Sequence, residues 1–151
     1  MKNKLSLIFC PLFCLLIISS CKKEDNKTRK ELIQENTCWK VAKFEAKDPE
    51  TGNFEDYTED FIGDACYKDN CYTYVSDGSY KSTEGATKCD PADVDLISTG
   101  TWSISADETA LTITEDGKTR VGKIESLTSD KMVLLVTDAS LGGLELRLTY
   151  N

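Results

Sequence analysis

The chain has 151 residues, room for one domain with a sizeable core but not for two. It carries 26 Asp and Glu against 18 Lys and Arg, and a surface this acidic repels phosphate backbones, which argues against nucleic-acid binding. It has no histidine, which removes Ser–His and Cys–His nucleophile pairs, a histidine general base and imidazole zinc sites. Carboxylate hydrolysis would still need two acids placed in one cleft.

Lys2 and Lys4 open the chain with positive charge, and Leu5 to Ile18 follows as an uncharged, mostly apolar run of 14 residues. A spanning helix needs about 20 such residues, so this run fits the core of a signal peptide instead. No other segment is apolar over a comparable length, and no transmembrane helix is expected. The run ends Ile18-Ser19-Ser20-Cys21, which resembles the lipobox of bacterial lipoproteins. The resemblance implies cleavage before Cys21, diacylglycerol on its sulfur and acylation of the new amino group. Several acyl chains anchor stably where one binds only marginally. Cys10 and Cys14 leave with the leader. Lys22-Lys23-Glu24-Asp25 resembles the lysine-plus-acidic export signal of Bacteroidota-type lipoproteins, which implies the outer membrane and its outer surface. The periplasmic face is the other destination, and a plain solvated tether is the simpler account of the four residues.

The chain divides into a leader at 1–20, a tether with a short helix at 21–37, and one domain at 38–151. Loss of Lys2 and Lys4 leaves 16 basic residues against 26 acidic ones. Thr28 and Glu31 have capping-box spacing before Leu32 and Ile33, predicting a helix over 28–35 that stops at Asn36. From Cys38 the pattern changes to period two, the signature of strands. Strands are predicted at 38–46, 71–76, 79–83, 99–105, 110–115, 119–127, 131–138 and 144–150. Asp77-Gly78 and Asp116-Gly117 mark hairpins, because both residue types tolerate positive φ. Residues 47–70, with Pro49, Gly52 and Gly63, read mainly as loop, and so do 84–97. The last strand alternates most cleanly: Leu144, Leu146, Leu148 and Tyr150 face one way, Glu145, Arg147 and Thr149 the other.

Eight antiparallel strands joined by short turns resolve their exposed edges by closing into an up-and-down barrel. Such a barrel is either filled by side chains or just wide enough for one small ligand. A two-sheet sandwich is the competing all-β arrangement.

Here a family resemblance enters. Cys38-Trp39-Lys40-Val41 resembles the G-x-W start of lipocalin-like domains. Cys66-Tyr67-Lys68-Asp69-Asn70, Tyr72-Thr73-Tyr74 and Ser76-Asp77-Gly78-Ser79-Tyr80 resemble a run found in small bacterial lipocalin-like lipoproteins. Gly85-Ala86-Thr87-Lys88-Cys89-Asp90 and Gly100-Thr101-Trp102-Ser103-Ile104 continue it, so the likeness covers about 38–150. The resemblance implies an exported, lipid-anchored β-barrel and little chemistry, since fold alone carries no ligand. The chain departs from the pattern at Cys38, where glycine is usual, and at the extra Cys71.

Four cysteines in an exported domain are expected to pair, and four allow three connectivities. The family pattern suggests Cys66–Cys89, and the two departures, Cys38 and Cys71, would then pair with each other. A bridge closing about 24 residues stabilises by roughly 3 kcal/mol in the chain-entropy account. Four-thiolate zinc is disfavoured by an oxidising compartment and by spacing that is not CxxC…CxxC. The acidic stretch Asp48, Glu50, Glu55, Asp56, Glu59, Asp60 and Asp64 lacks EF-hand spacing and reads as a solvated loop, as do Asp90, Asp93 and Asp95. No metal or other cofactor is implied.

The expected function is non-catalytic: a lipid-anchored, monomeric envelope lipoprotein whose barrel binds a small apolar or amphipathic molecule. Inner-face candidates are Trp39, Tyr72, Tyr74, Trp102, Ile113, Leu134, Leu146 and Leu148, although tryptophan in alternating strands is more often core. The alternative is an interaction module, a filled barrel that presents loops 47–70 and 84–97 to a protein or glycan. An enzyme is the remaining reading, and it would need a cleft with paired, pKa-perturbed carboxylates.

Overall fold

A computed structural model describes residues 27–151; the leader, the lipobox with Cys21, and tether residues 22–26 lie outside the described residues. The first described element is helix α1, Arg29–Glu35, and Thr28 caps it as its sequence predicts. The Thr28 hydroxyl accepts from the Glu31 N–H at 3.2 Å, and the Glu31 carboxylate accepts from the Thr28 N–H at 2.7 Å. The Thr28 N–H, and then the Thr28 hydroxyl, hold the Glu31 carboxyl below the usual carboxylate range.

Nine strands follow: β1 (Val41–Lys47), β2 (Phe54–Asp56), β3 (Cys71–Tyr74), β4 (Ser79–Thr83), β5 (Leu96–Ile104), β6 (Ala110–Glu115), β7 (Lys118–Leu127), β8 (Met132–Asp138) and β9 (Leu144–Tyr150). Helices α2 (Thr58–Ile62) and α3 (Ala65–Lys68) lie between β2 and β3. The strands form one antiparallel sheet in the order β2-β1-β9-β8-β7-β6-β5-β4-β3. From β3 to β9 this is a meander, and β9 then pairs with β1.

The expectation of eight strands closed into a barrel is corrected in two respects. There are nine strands, and the ladder leaves β2 and β3 as open edges. An isolated bridge joins Trp39, in the segment before β1, to Tyr72 of β3, each N–H donating to the other's carbonyl at 3.0 and 2.8 Å. The Cys38–Cys71 disulfide lies immediately beside this bridge, with Cα atoms 5.0 Å apart. Cys66–Cys89 ties α3 to the β4–β5 loop. The helices use the free edge of β1. Tyr57 N–H donates to the Phe44 carbonyl, Phe44 N–H donates to the Thr58 hydroxyl, and Phe61 stacks on Phe44 with ring centroids 4.4 Å apart. The α2 region thus covers the part of the β1 edge that β2 leaves unpaired, where another chain could otherwise add.

Residues 47–70, read as mainly loop, thus contain β2, α2 and α3. Two of their acids hold local turns. Asp48 accepts from the N–H groups of Glu50 and Thr51, and Asp56 accepts from the N–H of Thr58.

The two-residue Asp116-Gly117 turn has positive φ at both positions, 48° and 72°, as the sequence predicts for this hairpin. At Asp77-Gly78 only Gly78 is positive, φ 87°, and Asp77 instead accepts from the Ser79 N–H. Gly100 is required for a different reason: a Cβ there would sit 2.1 Å from the Thr114 carbonyl oxygen on β6. Only glycine lets β5 and β6 approach this closely.

The core gathers at one end of the sheet. Ile33 of α1 is fully buried against a cluster with Trp39, Tyr74, Trp102, Met132 and Tyr150. The Arg29 N–H and guanidinium reach the Glu108 side chain and carbonyl in the β5–β6 turn. α1 therefore plugs the end that carries the β5–β6 turn. The β6–β7 and β8–β9 turns lie at the opposite end.

Candidate functional site

Above the plugged end the inner face encloses a cavity of about 480 Å³. This is within the roughly 300–1,000 Å³ range of small-molecule sites. Its floor is Tyr80, Leu111, Leu134 and Tyr150, all buried. Its wall is Tyr72, Ile113, Val136, Leu146, Leu148 and Phe44, with Ile97 at the rim. It reaches the end of the sheet where Asp116 and Asp138 terminate β6 and β8. The lining is apolar apart from a band of polar side chains: Ser82, Ser98, Glu115, Arg120 and the two terminal aspartates.

Strand parity explains this band. Ile113 and Arg120 are direct partners across the β6–β7 ladder, and partners share a face. Glu115 is two residues from Ile113 and so also faces inward. The Arg120 guanidinium pairs with the Glu115 carboxylate, whose other oxygen accepts from the Ser98 hydroxyl at 2.7 Å. Glu115 retains 15% side-chain exposure against 52% for Arg120, so the carboxylate is the sequestered member. The Glu115 hydrogen bond raises Arg120 above its usual pKa, keeping the guanidinium charged.

The phenols of the site stay neutral. Burial, followed by the Glu115 charge, pushes Tyr72 and Tyr80 above the ordinary tyrosine range. Burial likewise raises Tyr150 and Tyr74. Asp138 is held below the usual carboxylate range, chiefly by the Ser140 hydroxyl and then by the Ser140 N–H, and stays ionised.

Of the eight inner-face candidates, Tyr72, Ile113, Leu134, Leu146 and Leu148 line the cavity. Trp39, Tyr74 and Trp102 do not; they pack beneath it in the core. Their placement follows from their polar handles. The Trp39 indole N–H donates to the Ile33 carbonyl and the Trp102 indole N–H to the Val75 carbonyl, both at 2.8 Å. A buried indole needs such a partner. Free backbone carbonyls occur where the helix ends and the β3–β4 turn begins, which is the plugged end. Trp102 and Tyr74 also meet edge to face, centroids 5.5 Å apart.

The sequence reading missed Glu115, Arg120, Ser98, Ser82 and Phe44. The signal for two of them was present: the Asp116-Gly117 turn sets the β6–β7 register, and that register puts Arg120 on the same face as Ile113.

Beside the main cavity, Phe44 and Leu146 also line a smaller apolar recess of about 250 Å³, completed by Phe61, Tyr57, Leu141 and Leu144. Among the described residues, no group of three or more Cys, Asp or Glu side chains has the arrangement to hold a metal ion.

The all-β antiparallel class that the resemblance implied is present, as an open nine-stranded sheet in place of the closed eight-stranded barrel, and residues 23–134 match the lipocalin-like domain family. The chain belongs to that family. The match ends within β8, yet β9 completes the lipocalin-like sheet by pairing with both β8 and β1. Lipocalin-like domains are in general binding folds rather than catalysts. Among curated proteins, none matches this chain.

Proposed function

We propose that this protein is a lipid-anchored, non-catalytic lipoprotein of the outer membrane, and that its lipocalin-like cavity holds one small amphipathic molecule. The observation that carries the reading is the cavity of about 480 Å³, apolar along its floor and wall and crossed by an oriented Glu115–Arg120–Ser98 cluster. Apolar walls supply affinity, and a few fixed polar groups supply orientation. A filled barrel would leave no such space.

The anchor reading rests on Ile18-Ser19-Ser20-Cys21 and the lysine-plus-acidic residues after it. The six residues from Lys22 to Lys27 reach at most about 20 Å, and Thr28 enters α1 at the plugged end. An acylated Cys21 would hold that end toward the membrane and point the mouth away from it. The ligand would then arrive from the aqueous side rather than from the anchoring leaflet.

Ile113→Trp tests the cavity. The added ring is expected to fill the space beside Tyr72 and Leu148 and abolish binding of a fluorescent apolar probe while the protein stays folded by circular dichroism. A folded variant that binds as before would refute a ligand in this cavity. Cys21→Ala tests the anchor: in the native host it is expected to lose palmitate labelling and outer-membrane fractionation. Unchanged labelling would sink the lipoprotein reading.

One observation favours the interaction-module alternative. Val94 is 72% exposed, with Leu96, Ile97, Phe61 and Tyr67 also exposed on the 84–97 and 47–70 segments. Apolar side chains clustered at one rim are a feature of partner contacts. A ligand-free barrel that captures a defined partner through these residues would replace the ligand reading.

A further inference from the structure

Resting on the cavity as a ligand site, we propose that its mouth selects a cationic amphiphile over an anionic one of the same chain length. Three carboxylates line the cavity, Glu115, Asp116 and Asp138, against one guanidinium, Arg120. The guanidinium is already committed. It pairs with Glu115, and Glu115 is the more sequestered partner. Turning Arg120 toward a ligand carboxylate would strand Glu115 as a largely buried, unpaired charge, which costs more than a rim contact returns.

Asp116 and Asp138 then stand at the opening; the Arg120 charge also acts on Asp138, but one guanidinium against three carboxylates leaves the lining with a negative excess. The Asp138 carboxylate accepts from Ser140, a neutral partner that keeps it ionised without cancelling its charge. Lys118, opposite Glu115 on the ladder and so on the same face, is the nearest other cation by register; it lines the adjoining groove beside Ser140 and is not among the residues that line the cavity. Deeper in, the lining offers only hydroxyls and apolar groups, so nothing there rewards an anion. The acidic excess of the whole chain, 26 Asp and Glu against 18 Lys and Arg, adds a field of the same sign. A ligand whose tail occupies the apolar floor and whose head rests between Asp116 and Asp138 would gain if positive and lose if negative.

The test uses the full mature chain with Cys21→Ser in low-salt buffer. Dodecyltrimethylammonium, dodecanol and dodecanoate are titrated by calorimetry below their micellar concentrations. The expected order is ammonium tightest, alcohol intermediate and carboxylate weakest, with about a tenfold or larger gap between the charged pair at low ionic strength. The gap is expected to shrink in 0.5 M salt. It is also expected to fall below about threefold in Asp116→Asn/Asp138→Asn. Equal affinities, or dodecanoate binding tightest, overturn the charge selection while dodecanol binding still upholds the cavity. No binding of any of the three, in a protein shown to be folded, overturns both.

Discussion

Trp39→Ala is expected to destabilise the domain by about 4 kcal/mol, with Tm falling by roughly 10–20 °C. Trp39 has no exposure and is among the largest fully buried side chains. Truncation would open a void at the contact between α1 and the sheet, where Ile33 and Met132 are equally buried and relax little. It would also remove the indole donor from the Ile33 carbonyl and weaken the seam, because Trp39 itself forms the bridge to Tyr72. Trp39→Phe separates these contributions. It keeps most of the packing and deletes the hydrogen bond, and its expected cost is about 1–2 kcal/mol. Urea unfolding checks both, and a loss under about 1.5 kcal/mol for Trp39→Ala would contradict the placement of this residue in the core.

Replacing Cys38 and Cys71 together by serine is expected to cost about 3.5 kcal/mol. The bridge spans 33 residues of sequence, enough to remove substantial loop entropy from the unfolded chain. Its position adds a local effect. β3 is an edge of the sheet, and the bridge of Trp39 to Tyr72 and this disulfide sit side by side where it meets the segment before β1. Without the covalent link, the two amides of that bridge are expected to exchange with solvent much faster than those of β6, which is paired on both sides. Cys66→Ser/Cys89→Ser opens a comparable loop of 23 residues and is expected to cost a similar amount without that local opening. Hydrogen exchange of the Trp39 and Tyr72 amides distinguishes the two pairs. Equal protection in both variants would mean that the disulfide does not hold the seam.

The α1 plug and the cavity divide the inner face between them. The large aromatics fill the end where backbone carbonyls can accept from their indoles, and the medium-sized aliphatics are left to line the open end. This division explains why five of the eight residues expected on the inner face reach the cavity while both tryptophans serve stability instead.

By itself the sequence determined the elements whose information is local. The Thr28–Glu31 spacing capped α1, and period-two alternation placed β4, β6 and β9 at the bounds they have. Asp116-Gly117 set the tightest hairpin, and the lengths of alternating runs set the all-β class. Tertiary structure alone decided the rest. β2, α2 and α3 have three, five and four residues, too few for any periodicity to register; β2 and α2 take their form along the edge of β1, and α3 is tied by Cys66 to the β4–β5 loop. Whether the sheet closes depends on where the chain before β1 meets β3, a contact between residues 33 positions apart that no local pattern encodes. The inward ion pair was half legible. Turn chemistry set the parity of Arg120 and Glu115, but only the curvature of the whole sheet decided that this face encloses a cavity and leaves Asp116 and Asp138 at its mouth.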